Sequence, residues 1–241
     1  MTSLAHVAER LRARRPSAGP FIVGVTGSVA SGKSTFSAEL ADLVVAWTGV
    51  SRVELVCTDG FLMDNAALEA RGLGMRKGFP ESFDLEAMRR TLAAVRAGPA
   101  AFPGYSHVTY DVDPQLERII ETPDVLIVEG LGLHVDRNAP GAGAPLVDTL
   151  IYLDADESHL EAWFTERFVG LWAAAEHDPS SFYARFRTMD EPALRDFAGR
   201  VWAAINLPNL RDHIVLARDL ADLVVRKGDG HRIEAVEERG S

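Results

Sequence analysis

Cysteine is all but missing. Cys57 is the only one among 241 residues, which excludes an intrachain disulfide and a thiolate metal cluster. Long apolar runs are missing too, and none approaches the roughly 18 residues that a membrane span requires. Met1 to Arg15 lack an apolar signal core and a small-residue cleavage site. Positive charge is in deficit, with a formal net charge of -10. Nucleic acid and anionic membrane both demand clustered Lys and Arg, so neither is expected as a partner. No internal repeat and no dividing linker is visible. The remaining composition, 47% hydrophobic and 25% charged, is that of a globular chain rather than a disordered one. The expectation is a reduced, soluble, cytoplasmic protein with one domain over 1–241. Residues 1–19 are its lead-in, 20–226 its core and 227–241 a C-terminal strand and tail.

What is present alternates between two periodicities. Leu4, Val7, Ala8 and Leu11 mark one face of a short N-terminal helix. Apolar runs at Phe21–Thr26, Val53–Thr58, Val125–Val128, Leu150–Leu153 and Ala221–Val225 read as strands. Helical spacing fills about Lys33–Trp47, a stretch capped by Asp84 and carrying Leu85, Met88, Leu92 and Val95, then Glu157–Ala175 and Pro192–Ile205. Near-continuous apolar strands suit a parallel sheet covered on both faces. The βαβ order therefore predicts a three-layer α/β/α fold with a mostly parallel sheet. Asn138–Pro145, rich in Ala, Gly and Pro, reads as a loop. Glu234–Arg239 reads as a solvated strand edge.

The most specific local signal is Gly27-Ser28-Val29-Ala30-Ser31-Gly32-Lys33-Ser34, followed by Thr35. It matches G-x-x-x-x-G-K-[ST] between an apolar strand and a helix, and so types the fold as a P-loop NTPase. Glycines let backbone N–H groups turn toward phosphate oxygens, and the helix N-terminus adds partial positive charge. Lys33 is expected on the β- and γ-phosphates of ATP, and the Ser34 hydroxyl on Mg²⁺. The chain has no Asn-Lys-x-Asp base-reading motif of a guanine-nucleotide switch and no Leu-Ser-Gly-Gly-Gln signature of a transporter ATPase. It does have Asp59 at the end of the second strand run. In open α/β sheets, ligands lie beyond the strand carboxyl ends. A carboxylate there can take the proton of an attacking hydroxyl. Asp59 is also an ordinary Asp-Gly turn residue on local grounds.

Further motifs appear in order: Thr58-Asp-Gly-Phe-Leu62, Arg71-Gly-Leu73, Lys77-Gly-Phe-Pro-Glu-Ser82, Tyr105-Ser-His107, Tyr110-Asp-Val112, Val128-Glu-Gly-Leu131, Ile151-Tyr-Leu-Asp-Ala155, Arg167-Phe168 and Ile205-Asn206. With the phosphate loop they resemble the bacterial type I pantothenate kinases, within the phosphoribulokinase/uridine kinase superfamily. The resemblance implies Asp59 as catalytic base, Glu129 as the acidic group beside Mg²⁺, and Arg167 near the transferred phosphoryl group. It implies Tyr105, His107, Tyr110 and Asn206 as contacts to the alcohol, and it implies a homodimer. Tyr105 and His107, two apart, would share one strand face. Lys77 is read either as added charge at the mouth of the site or as a loop lysine in water, and Asn206 also suits a helix C-cap.

The chain departs from the resemblance in three places. Only 26 residues precede Gly27, so inhibition by coenzyme A is expected to be weak or absent. Phe164 stands where the family has a tyrosine. The aromatic wall of the substrate pocket aligns with Phe168, Leu171, Glu176 and Tyr183, which suits a smaller or more polar alcohol. His134, His159, His177, His213 and His231 show no paired ligand spacing and are expected at the surface or in packing. Trp163, Trp172 and Trp202 are expected in the core. The leading expectation is an ATP- and Mg²⁺-dependent kinase acting on pantothenate. Another small alcohol (nucleoside, sugar or hydroxy acid) and a non-catalytic nucleotide-binding relative stand as alternatives.

Overall fold

The computed structural model describes residues 3–135, 137 and 144–239. The Asn138–Pro145 run lies largely outside the described residues. Helix α1 (Leu4–Arg14) buries Val7, Ala8 and Leu11, the face expected from spacing. Strand β1 (Phe21–Gly27) leads through the glycine loop into α2 (Lys33–Val44), which stops short of Trp47. Strand β2 (Val53–Cys57) ends before Thr58, where a 3₁₀ turn over Thr58–Phe61 begins. Asp59 therefore sits in that turn and not on the strand. Helices α3 (Asn65–Ala70) and α4 (Leu85–Ala97) follow, each capped by an aspartate, Asp64 and Asp84.

An excursion then adds β3 (Ala100–Phe102), β4 (Tyr105–Ser106), β5 (Asp111–Val112) and β6 (Arg118–Ile120), paired antiparallel as β3–β6 and β4–β5. The chain returns to the sheet as β7 (Val125–Glu129) and β8 (Thr149–Asp154), then runs through α5 (Glu157–Ala174) and α6 (Glu191–Val201). The helical path does not end at Ile205. It continues to Leu220 through π-type turns at Trp202–Asn206 and Leu210–Ile214. Asn206, with φ -72° and ψ -41°, lies inside that path, so it is not a C-cap. Strands β9 (Leu223–Lys227) and β10 (Ile233–Glu238) close the chain.

The main sheet has the order β10-β9-β8-β1-β7-β2, with only β10 antiparallel. Alternation along β1 divides the core. Phe21, Val23 and Val25 pack toward α1 and α2 with Val7, Leu11, Phe36 and Leu40. Ile22 points the other way, into a cluster with Leu126, Leu150, Met88, Leu92 and Trp202. All seven residues of β1 are buried, as a central parallel strand covered on both faces should be. Because β1 pairs with β7 on one side and β8 on the other, its carboxyl end opens a crevice at the switch point. No helix among the described residues is long and apolar enough to cross a membrane.

Candidate active site

Three turns meet at the carboxyl edge of the sheet. The β1 turn is the phosphate loop. Gly27 has φ 146°, and a Cβ there would lie 2.6 Å from the Leu153 carbonyl oxygen. Gly32, left-handed at φ 79°, starts α2 with no side-chain cap, so the first helix amides stay open toward the cleft. Lys33 Nζ folds back onto the loop and donates to the carbonyls of Gly27 at 3.1 Å and Ser28 at 2.9 Å. Burial lowers its pKa, against the opposing pull of Glu129 and Asp59. The hydroxyls of Ser28 and Ser31 are buried with no hydrogen-bond partner among the described residues. The open amides at the start of α2 and the Lys33 ammonium beside them fit a phosphate chain.

The β7 turn follows Glu129, whose Oε1 accepts from Ser34 Oγ at 2.7 Å. A hydroxyl and one carboxylate, completed by phosphate oxygens and water, are the donors that Mg²⁺ takes at nucleotide sites. The β2 turn carries Asp59. Sheet order puts β7 between β1 and β2, so Glu129 stands between the phosphate loop and Asp59. The β2 and β7 turns are locked together. Leu131 N–H donates to Thr58 Oγ1 at 2.9 Å, and Gly130, at φ 136°, leaves no room for a Cβ against that same oxygen. Burial and the charge of Glu129 raise the Asp59 pKa, while Lys33, His107 and the Cys57 thiol oppose the rise. Cys57 Sγ accepts the Asp59 amide at 3.4 Å. Burial and the two carboxylates push that thiol well up, so it stays protonated.

One cleft of about 480 Å³ joins these turns to an aromatic wall. Val29, Ala30, Gly32, Lys33, Ser34, Thr35, Asp59, Lys77, Tyr105, His107, Tyr110, Glu129, Arg167 and Asn206 all line it. Gly27, Ser28 and Ser31 shape the loop from behind. The strand expected through Tyr105 and His107 is only two residues long, with His107 beyond its end. The two rings still meet edge to face at 5.1 Å, and Tyr105 meets Tyr110 at 6.1 Å. Phe164, Phe168, Leu171 and Tyr183 line the cleft, but Glu176 does not. Glu176 lies outward and pairs with Arg187 at 3.5 Å, so no charged side chain interrupts the wall at that position.

One expectation about rings is corrected. Trp202 is buried and the Trp172 indole N–H donates to Phe186 O, but Trp163 lines the cleft. It stacks on His231 with centroids 3.8 Å apart and on His159 at 5.5 Å. His231, exposed as expected, also lines the cleft. Lys227, ending β9, donates to Ser31 O at 3.0 Å. Burial, with the neighbouring Lys33 charge, lowers its pKa to about 8. A Cβ on Gly32 would come within 3.0 Å of Lys227 Nζ and 3.2 Å of His231 Nδ1. Lys227 ends a strand and His231 lies in the turn after it, and that position alone flags them. The chain has only three lysines, Lys33, Lys77 and Lys227. All three lie at this cleft or against its phosphate loop, and Arg167 also lines it.

Residues 22–164 match the model of the Phosphoribulokinase / Uridine kinase family. Over 225 residues the chain is 44% identical to a pantothenate kinase of Agrobacterium fabrum, covering 90% of this chain and 70% of that protein. A pantothenate kinase of Brucella ovis matches at the same identity and coverage. Among solved structures, a putative fructose transport system kinase from Silicibacter sp. superposes with a TM-score of 0.70 at 27% identity, covering 88% of this chain and 93% of the other. A D-glycerate 3-kinase from Cryptococcus neoformans shares the fold, with a TM-score of 0.64 at 14% identity.

Proposed function

The chain belongs to the Phosphoribulokinase / Uridine kinase family, and from that premise we propose that it transfers the γ-phosphoryl group of ATP to a hydroxyl of pantothenate. The observation that carries the reading is the half-buried carboxylate of Asp59, which shares one cleft with the phosphate-loop lysine and feels its charge. A switch or a passive binder needs no base facing an open chamber. The 44% identity to pantothenate kinases supports the choice of alcohol.

In this reading the loop amides and Lys33 hold the β- and γ-phosphates. Ser34 and Glu129 would hold Mg²⁺, which supplies neutralisation of the phosphate charge. Trp163 and His231 offer a flat face beside Gly32 for the nucleotide base. Asp59 accepts the proton of the acceptor hydroxyl. As that oxygen bonds to the γ-phosphorus, the bond from phosphorus to the bridging oxygen breaks and ADP leaves. Arg167 stabilises the charge spread over the transferred group. Lys77, Tyr105, His107, Tyr110 and Asn206 orient the acceptor. One kinase unit over 1–241, paired as a homodimer with no nucleic-acid partner, completes the proposal.

The test is ADP release by the purified chain with ATP, Mg²⁺ and pantothenate, read against a panel of sugars and hydroxy acids. Pantothenate-dependent turnover with a phosphorylated product supports the reading. Turnover only with another alcohol would replace it with a second reading. That second reading is a sugar or hydroxy-acid kinase, and the fructose-system neighbour, covered over 93% of its own length, favours it.

A further inference from the structure

Lys77 reaches the acceptor end of the cleft under tight restraint. Its Nζ donates to Asn65 Oδ1 at 2.6 Å and to the Tyr110 carbonyl at 2.6 Å. Asn65 Nδ2 donates to the same carbonyl at 3.2 Å, and the Asn65 backbone N–H donates to Asp111 Oδ1 at 2.9 Å. Asp111 Oδ1 also lies 4.0 Å from the Lys77 ammonium. One asparagine thus ties the start of α3 to the Lys77 loop and to the turn between β4 and β5.

The helix does not need this side chain. Asp64 already caps α3, with its Oδ1 accepting the Ala67 amide. The Asn65 amide is turned away from the helix, toward Lys77 and Tyr110. Tyr110 has φ 59°, a left-handed conformation that residues with a Cβ seldom adopt. Its carbonyl receives two donors, from Lys77 and Asn65, and its ring packs on Tyr105 and on Phe182, 4.9 Å away. The ammonium lies 5.2 Å from the Tyr105 ring centre and 5.0 Å from that of Tyr110. An ammonium has three N–H groups. Two are used by protein oxygens, and Lys77 lines the cleft, so the third is available to a ligand.

We propose that Asn65, which does not itself line the cleft, is a positioning residue for the phosphoryl acceptor: it fixes the Lys77 ammonium and the strained Tyr110 turn against Tyr105. The proposal rests on reading the Tyr105–Tyr110 end of the cleft as the acceptor side. None of Asn65, Lys77 or Tyr110 belongs to the phosphate loop, so the effect is confined to the acceptor.

Steady-state kinetics of Asn65→Ala test this, with the acceptor on which the wild type turns over. The acceptor KM should rise about tenfold while the ATP KM stays within about twofold. Asn65→Asp keeps an oxygen for Lys77 and loses the donor to Tyr110, so its acceptor KM should rise less. Asn65→Ala added to Lys77→Ala should worsen the acceptor KM by no more than about twofold. An acceptor KM unchanged in Asn65→Ala, or a parallel rise in both KM values, overturns the proposal.

A second readout needs no turnover. With ¹³C at lysine Cε the three lysines give three signals. In Asn65→Ala, or in Asn65→Leu if the alanine variant does not fold, the Lys77 signal should leave its position beside the Tyr105 and Tyr110 rings while those of Lys33 and Lys227 hold. A stationary Lys77 signal overturns the clamp. If the wild type turns over none of the alcohols, the kinase reading fails and this signal alone decides the role of Asn65.

Discussion

The two ends of the cleft are built by opposite means. The phosphate end is mostly backbone, one contiguous turn from Gly27 to Ser34 with the start of α2 behind it. The opposite end, the one proposed for the acceptor, is mostly side chain, gathered from the Lys77 loop, the β4–β5 turn, α5, Tyr183 and the π-type turn at Asn206. A backbone site tolerates most side chains and binds what all its ligands share, the phosphates. A side-chain site changes its preference with each substitution, so in the proposed function selection among alcohols would fall to the acceptor end.

The largest expected effect lies at the phosphate end, at Lys33. Lys33→Ala should remove turnover by at least about 10³-fold in kcat, because the ammonium meets the charge that builds on the β,γ-phosphates. The melting temperature should fall little, since Lys33 donates only to loop carbonyls. Wild-type turnover in the folded variant would break the division. Asp59→Asn comes next and tests the border between the two ends. Asparagine keeps the size but cannot take the proton, so kcat should drop about 10²–10⁴-fold with both KM values little moved. A drop below about threefold would make Asp59 a turn residue and shift the chemistry elsewhere.

Gly130→Ala probes the link that sets Asp59 against Glu129. A methyl at φ 136° collides with Thr58 Oγ1, so one turn must move. A stability loss of about 1–3 kcal/mol is expected, a fall of a few degrees in melting temperature for a chain of this size. Acceptor turnover should fall too, while nucleotide binding, measured directly, should hold. Equal loss at both ends would show that the turns form one unit.

The same division explains what could be read in advance. The phosphate loop was legible because its ligands are consecutive, and strands such as Leu150–Leu153 because burial on both faces leaves continuous apolar runs. Helix α5 was legible as a helix but not in its facing. It buries Leu160 and Phe168, while Trp163, Phe164, Arg167 and Leu171 line the cleft together with Phe168. Spacings of three and four fit either set, so periodicity could not place Trp163. Asn206 looked like a helix end because a π-type turn leaves no mark in hydrophobic spacing. Asn65 was invisible, since its role lies in contacts to residues 12 and 45 positions away.

The smallest effect is a pH dependence confined to the phosphate end. Lys227 has its pKa lowered to about 8, mainly by burial, and its ammonium rests on Ser31 O beside Gly32. Below pH 8 it is charged and favours the anionic triphosphate. As pH rises through 8 the charge is lost, so the ATP KM should increase by about two- to fivefold between pH 7 and 9, the range of a partly screened ion pair. The acceptor KM should not follow, because Lys77 and not Lys227 faces that end. Stability of the nucleotide-free protein should run the other way. The folded pKa lies below the usual 10.5, so the unfolded chain binds more protons between the two values. The cost of burying this charge is therefore present in full below pH 8 and is lifted as pH climbs toward 10.5. Lys227→Met should flatten both trends, with the ATP KM fixed near the high-pH value. Parallel titration of the ATP and acceptor KM values in the wild type, or a trend that survives in Lys227→Met, would assign the titration to a group shared by both ends.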